Sequence, residues 1–330
     1  MKKFTAFGIM IIFVLFAFVS CGTKPSAPKA GSAKAEDMLS LIPQDVTGVF
    51  FVDFHRAAAI EFIDKTIKED ENYQKYQEFI EKSGIDPQKD IYFVAVGIKG
   101  GAAQAQANAN GTGIVNLKYN KESLLALIKE KAAEEEGELV EEEYNGVTIY
   151  AWKQNEKGGG IAFLDESNIV LGDVGNMKSV IDIYQKKGEN IFKNEKLSAL
   201  LDKVNKDAML WGAVTFSPEE MSKMTAENPL LGSLEAVSAA HISFDYEDRN
   251  IIAEISLMSS DETKNAQVAD FLNGLKGMGG MMAAQDPNVG ELLSRIEITS
   301  GADHVKINAS IPEDLINKLK EKTAEKEKDY

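Results

Sequence analysis

Short apolar segments occur in pairs along this chain, with turn residues between them and helical segments between the pairs. The clearest pair, 139–144 and 147–152, is turned by Asn145-Gly146, the dipeptide that most strongly favours a two-residue hairpin. Further pairs lie at 91–98 with 114–119, 161–164 with 169–171, 237–246 with 251–258 and 295–299 with 305–311. Strands joined by short connections are antiparallel. The pattern therefore predicts an α+β fold of antiparallel hairpins packed with helices.

Apolar residues between the strand pairs recur at intervals of three and four, the spacing of an amphipathic helix. Helices are predicted at 121–135, 174–187, 194–204 and 261–275, and again after Pro312. Ser217-Pro218-Glu219-Glu220 has the sequence of a capping box, and Asp286-Pro287 starts another helix in a similar way. These caps set the expected starts of two helices.

The order of elements occurs twice. A shift of 162 residues places Asp45 on Asp207, Val52 on Val214 and Phe54 on Phe216 without a gap. Each copy reads as strand, helix, hairpin, helix and hairpin, which is the signature of an internal repeat. The sequence predicts two tandem related lobes, at 37–190 and 191–330.

Three short motifs in the first lobe carry a family resemblance. They are Leu41-Ile42-Pro43-Gln44-Asp45, Val52-Asp53-Phe54 and Gly84-Ile85-Asp86-Pro87. Together they resemble a bacterial envelope family that is classed only as a domain of unknown function. The resemblance implies a duplicated α+β body, and it supplies no catalytic residues.

The charge of the chain excludes some classes of partner. Thirty-six Lys and Arg stand against 52 Asp and Glu, which gives a formal net charge of -16. Such a chain has no general affinity for nucleic acid. Its one cysteine excludes an internal disulfide framework and a zinc cluster built on cysteines.

The N-terminus reads as an export signal over residues 1–20, with a basic start at Lys2 and Lys3 and an apolar run behind it. Phe18-Val19-Ser20-Cys21 resembles the lipobox of bacterial lipoproteins. The resemblance implies that Cys21 becomes the lipidated first residue, with palmitate-type acyl chains that hold the protein in an envelope membrane. In a two-membrane cell, Gly22 then favours the outer membrane. An uncleaved anchor and ordinary secretion are the alternatives. Residues 21–36, rich in Gly, Ser, Ala, Pro and Lys, are expected to form a disordered tether.

Residues that could carry chemistry are scattered. His55, His241 and His304 are far apart in sequence, and none has a neighbour at metal-ligand spacing. Asp53 ends a strand before a helix, and Thr215 is its counterpart in the second copy, so helix capping explains both positions. The acidic runs 134–136 and 141–143 read as a solvated helix end and a charged edge strand. We predict no catalytic residue, no cofactor and no metal site.

The segment Gly277-Met278-Gly279-Gly280-Met281-Met282 is not explained by the scaffold. Glycine gives mobility, and methionine gives an adaptable apolar surface. Met278, Met281 and Met282 are therefore candidate apolar contact residues, in a lid over an acyl chain or in contact with a partner protein. A loose helix end packed on the core and a thioether site for a cuprous ion are the other interpretations.

These observations favour a non-enzymatic, lipid-anchored cell-envelope protein that acts as a binding or structural module. The membrane is its expected partner through Cys21, and an envelope protein or an apolar ligand is a candidate second partner. One alternative is a carrier that shelters an apolar ligand between the second lobe's sheet and the segment 278–282. Another is an envelope hydrolase with a site that no motif reveals.

Overall fold

A computed structural model describes residues 35–70, 72–100, 111–134, 137–153, 159–227, 229–283 and 286–328. Within these ranges the chain is an α+β protein of helices and antiparallel strands, as the sequence predicts. The strands are β1 Gly48–Asp53, β2 Ile91–Ile98, β3 Gly111–Leu117, β4 Glu138–Tyr144, β5 Val147–Lys153, β6 Gly159–Phe163, β7 Asn168–Asp173, β8 Leu210–Thr215, β9 Ala239–Glu247, β10 Asn250–Met258, β11 Ile296–Ser300 and β12 His304–Pro312. The helices are α1 Ala35–Leu39, α2 Phe54–Ala57, α3 Glu61–Lys68, α4 Tyr73–Ser83, α5 Pro87–Asp90, α6 Lys121–Glu134, α7 Val174–Tyr184, α8 Glu195–Leu201, α9 Pro218–Glu227, α10 Glu262–Ala283, α11 Pro287–Ser294 and α12 Glu313–Lys328.

Local signals place the ends of these elements. Asn145 and Gly146 both have positive φ, as the two-residue turn between β4 and β5 requires. Gly84 ends α4 in the left-handed conformation. Ser217 and Glu220 form the predicted capping box, since the Ser217 Oγ accepts from the Glu220 N–H at 3.2 Å and the Glu220 carboxylate accepts from the Ser217 N–H at 2.7 Å. The short-range sequence signals for turns and caps are thus confirmed at these positions.

The described chain divides into two compact units. Residues 51–99 and 111–194, with the segment 35–46, form unit 1, and residues 47–50 and 195–328 form unit 2. Unit 1 has the strand order β1-β2-β3-β7-β6-β5-β4. A close-packed core lies on its sheet, in which each side chain is at most 9% exposed; the members include Phe54, Ile91, Leu124, Tyr150 and Phe163.

Unit 2 has the strand order β8-β9-β10-β12-β11. One buried apolar cluster of unit 2 consists of Val268 and Ala269 on α10 with Val305 on β12. Helix α8 packs on the other side of the sheet, against β8 and β9, with Leu197, Leu200 and Leu201 buried.

The two strand orders have a common part. The order β1-β2-β3-β7-β6 in unit 1 corresponds to β8-β9-β10-β12-β11 in unit 2, and the hairpin β4-β5 is additional in unit 1. Strands β1 and β8 also have bounds that differ by the 162 residues found in the sequence. By position in the sheet, the counterpart of β11-β12 is β6-β7, whereas the sequence pattern pairs it with β4-β5.

Two expectations from the sequence differ from the structure. Helix α10 extends to Ala283, eight residues beyond the predicted end at Leu275, so that the glycine and methionine segment is helical. Thr215 caps no helix: its hydroxyl donates to the Thr47 carbonyl at 3.0 Å, and the next helix is capped by Ser217. The helix starts two residues later in the second copy than the repeat suggests.

Candidate functional site

The sheet of unit 2 has one polar face and one apolar face. Strand register sets the two faces, because directly opposed residues on neighbouring strands point to the same side of a sheet. One row across the five strands runs Gly212, Ile242, Ile255, Ile307 and Ile298. The adjacent row on the other face runs Ala213, His241, Ser256, Lys306 and Thr299. An aliphatic row thus lies back to back with a polar one.

Burial does not follow the polarity of the two faces, because the polar face is the more buried one. On the polar face, Ala213, His241, Ser243 and Ser256 are buried, together with Trp211. Small side chains at Ala213, Ser243 and Ser256 leave room for α8, which packs on β8 and β9 and buries its leucines there. The core on this side is formed by leucines of α8 against small and polar strand residues.

The apolar face is only partly covered. The four isoleucines of the first row are half-buried, although each lies near the middle of its strand. They are Ile242, Ile255, Ile307 and Ile298. The next row on this face runs Leu210, Phe244, Ala253, Ala309 and Ile296, and these side chains are half-buried as well. We call these two rows, Gly212 to Ile298 and Leu210 to Ile296, the apolar sheet face. It extends about 19 Å across the five strands.

Small residues give the apolar sheet face its relief. Ala253 and Ala309 are neighbours on β10 and β12, in the row between Phe244 and Ile296. At the β8 end, a Cβ on Gly212 would lie 2.2 Å from Cδ1 of Phe50. Only glycine accommodates the Phe50 ring there, so this aromatic side chain closes one end of the face.

Helix α10 packs on β11 and β12, with α11 beside it on β11 and α12 on β12. Val268 and Ala269 pack on Val305, with Leu257 and Ile298 beside them. The start of the helix is fixed by Asn265, which is 1% exposed. Its Nδ2 donates to the carbonyls of Ser259, Gly301 and Ala302 at 3.1, 3.1 and 3.2 Å. This amide ties α10 to the turn between β11 and β12.

The second half of α10 is exposed and carries the candidate methionines. Met278 is 67% and Met281 78% exposed, and Leu275 on the same side of the helix is 45% exposed. Met282 is in the same helix, and its side chain lies outside the described residues. The exposed positions exclude the interpretation of Met278 and Met281 as a helix end packed on the core.

The histidines occupy three different environments. His241 is buried on the polar face, where desolvation lowers the pKa of its imidazole; Glu254 opposes this effect, and Lys306, Lys203 and His304 add to it. His304 Nδ1 is 2.7 Å from the Asp303 carboxylate. That contact, with a second from Lys203, lowers the pKa of Asp303 to about 2.

His55 lies on α2, in unit 1, beside Tyr92 with 5.6 Å between ring centroids. Both of its ring nitrogens are buried, and neither has a hydrogen-bond partner within the part of the chain that the structure describes. His241 and His304 are thus brought to one sheet by the fold, while His55 belongs to the other unit. The spacing of His241 and His304 in the sequence did not predict this, because the pairing of the strands brings the two residues to the same sheet.

Asp53 acts as a helix cap. Its Oδ1 accepts from the Arg56 N–H at 2.9 Å, at the start of α2. This contact confirms the capping role predicted from the sequence for Asp53.

The acidic residues of β4 lie on the edge strand of unit 1. Glu141 pairs with Lys129 at 3.0 Å, and Glu142 with Lys178 at 2.5 Å. Within the described ranges, no group of three His, Cys, Asp or Glu side chains is arranged to hold a metal ion. Glu135 and Glu136 lie outside the described residues.

Cys21, the signal segment 1–20 and the tether up to residue 34 lie outside the described residues. Among the helices that the structure describes, none is both long and apolar enough to cross a bilayer.

No protein-family model matches the chain, and no curated protein matches it. Crystal structures of a protein named TP0453 are similar to it. Crystal form III has 8% sequence identity and a TM-score of 0.49, and the match covers 85% of this chain and 96% of that one. Crystal form I has 9% identity and a TM-score of 0.43, over 87% and 97% of the two chains. At these values the similarity assigns neither a family nor a function to this chain.

Proposed function

We propose that the protein is a lipid-anchored binding module of the bacterial cell envelope, and that its second unit carries an apolar ligand on the apolar sheet face. The observation that carries the proposal is that the polar face of this sheet is more buried than its apolar face. Ser243, Ser256 and His241 are buried, whereas the isoleucines on the opposite face are only half-buried. Apolar surface that stays accessible beside a buried polar face is often a binding site.

The shape and chemistry of the face suit a flexible aliphatic ligand. Its described side chains are aliphatic apart from Phe244 and Phe50, and the two rows contain no hydrogen-bonding side chain. Ala253 and Ala309 are small neighbours in the second row, between larger apolar side chains. Aliphatic contact of this kind is non-directional and roughly proportional to the area buried, so it fits an acyl chain better than a polar small molecule.

The enzyme alternative gains no support from the site. The Asp303–His304 pair lies at the start of β12 with both side chains more than a third exposed, and no serine or threonine hydroxyl in the described ranges is hydrogen-bonded to His304. A serine hydrolase needs a nucleophile within hydrogen-bond reach of its base. The binding interpretation needs only the surface that is present.

The proposal is tested by titrating the mature full-length protein with palmitate and measuring binding by native mass spectrometry and calorimetry. Ile255→Thr keeps a branched β-former and removes apolar contact from the centre of the face. About 1.5 kcal/mol of lost apolar burial corresponds to roughly tenfold weaker binding. Asn308→Thr on β12 is the matched control, because Asn308 points to the opposite side from Ile307. Absence of palmitate binding, or equal weakening by both variants, contradicts the proposal.

A further inference from the structure

The second half of α10 presents an exposed surface without charge. Leu275, Met278 and Met281 are spaced by three residues, which places them on one side of a helix. Gly274, Gly277 and Gly280 follow the same spacing one position earlier, and a Cβ at any of the three would meet nothing within 4 Å. We call these six residues the Gly/Met face of α10.

The Gly/Met face differs from the rest of the protein in charge. From Phe271 to Gln285 the sequence contains no Asp or Glu, in a chain with 52 of them and a net charge of -16. The single charged residue in the stretch is Lys276, whose Nζ donates to the Ile296 carbonyl at 2.5 Å. The ammonium group is therefore bound to the edge of the sheet, and the exposed side of the helix is left uncharged.

We propose that the Gly/Met face docks in the interfacial region of the bilayer to which the protein is anchored, and that this bilayer is zwitterionic at the point of contact. The inference rests on the lipid anchor of the proposed function. Thirteen residues lie between the predicted lipidation site at Cys21 and the first described residue, Ala35. The tether predicted from their composition would have a root-mean-square span of roughly 20 Å, which would hold the body within reach of the membrane.

The chemistry of the face fits a bilayer interface better than a protein partner. Interfacial helices insert apolar side chains to a depth of about 5–10 Å while the polar side of the helix stays in water. Glycine at three surface positions lets the helix backbone approach the headgroups closely. One short helical face is small beside the roughly 800 Å² per partner of a stable protein interface. Because the body is strongly acidic, anionic lipid would repel it.

The test uses the mature lipoprotein reconstituted on phosphatidylcholine vesicles. Met281→Cys is labelled with bimane, and quenching by a lipid with a nitroxide near the headgroup is measured. Phe192→Cys is the matched control, since Phe192 is an exposed apolar residue of unit 1 at 42%. We expect at least twofold stronger quenching at position 281 than at position 192. The difference should be insensitive to salt and should shrink when phosphatidylglycerol is added.

A negative charge introduced on the Gly/Met face distinguishes an effect on docking from an effect on folding. Gly277→Asp places a carboxylate in open space on the Gly/Met face, and Gly277→Asn is its neutral isostere. We expect the Asp variant to lose the quenching at position 281 and the Asn variant to retain it. Equal quenching at positions 281 and 192, or no effect of the carboxylate, overturns the proposal.

Vesicle flotation distinguishes the outcomes. Flotation without selective quenching contradicts docking and leaves the anchor and palmitate binding intact. Loss of flotation contradicts the anchor, and docking with it. Selective loss of quenching when an envelope extract is added, with flotation kept, identifies a protein as the occupant and equally refutes the bilayer.

Discussion

The amide of Asn265 is expected to be the most sensitive buried polar group of unit 2. Its Nδ2 donates to the Ser259 carbonyl after β10 and to the Gly301 and Ala302 carbonyls of the turn between β11 and β12, and the residue is 1% exposed. A net contribution of about 1 kcal/mol is typical of a hydrogen bond, and an orphaned buried acceptor costs about 1–3 kcal/mol. Because the three carbonyls share two N–H groups, we expect Asn265→Ala to lower the free energy of unfolding by about 2–4 kcal/mol.

The assay is equilibrium urea unfolding in a Trp152→Phe background, in which Trp211 reports on unit 2. Asn265→Asp should be more damaging than Asn265→Ala at neutral pH, because a carboxylate then faces three carbonyl oxygens. Asn273→Ala on the same helix is the control: Asn273 is exposed, so the change should be neutral or slightly stabilising. A loss below about 0.5 kcal/mol for Asn265→Ala, within the range of ordinary surface substitutions, would refute the reasoning.

Three further predictions concern single residues. The lowered pKa of His241 means that the unfolded state binds its proton more readily, so unit 2 should lose stability as the pH falls below about 6.5; His241→Gln should flatten this dependence in urea unfolding at pH 5 to 7.5, and an unchanged slope would contradict it. Gly212→Ala should destabilise unit 2 by about 1–3 kcal/mol through the clash with Phe50, and Phe50→Leu should recover part of this loss in a double-mutant cycle. His55→Phe should raise the stability of unit 1 by about 1 kcal/mol, because it removes two buried nitrogens that lack partners among the described residues; a lower thermal midpoint would argue against this.

Hairpins, turns and caps could be predicted from the sequence because each depends on a few neighbouring residues. Asn145-Gly146 requires positive φ at both positions and has it. Strand β2 has the predicted bounds, Ile91–Ile98. The predicted end of α10, at Leu275, was wrong. Four glycines after residue 273 lower the helix propensity of this segment, yet the helix continues through them. Packing supplies one reason: Gly279 lies against Leu293 of α11, where a Cβ would be 3.1 Å from its Cδ1.

The exposure of the two faces of unit 2 could not be predicted in this way. Alternation in 239–246 shows that Ile242 and Phe244 share a side and that His241 and Ser243 share the other. Because apolar residues usually face the core, this alternation predicts that the isoleucine side is buried. The structure buries both His241 and Ser243, because α8 brings its leucines to that side from a different part of the chain. Non-local packing of this kind leaves no local signal in either strand.

The apolar sheet face and the Gly/Met face of α10 lie in the same unit, because α10 packs on the sheet that carries the apolar face. This arrangement connects the two proposals. Val268 and Ala269 at the start of α10 hold the helix on Val305, while Lys276 fixes its middle to the edge of β11. Beyond Lys276, the helix presents Met278 and Met281 outward. If the outward side rests in a bilayer, the half-buried Ile296 and Ile298 lie on the edge strand to which that helix is fixed. An acyl chain leaving the membrane along α10 would then reach the apolar sheet face first at β11, so Ile298→Thr should slow palmitate transfer from vesicles more than it weakens palmitate binding in solution. Stopped-flow transfer of a fluorescent fatty acid measures the first quantity and calorimetry the second, and equal effects on both would show that entry does not occur at β11.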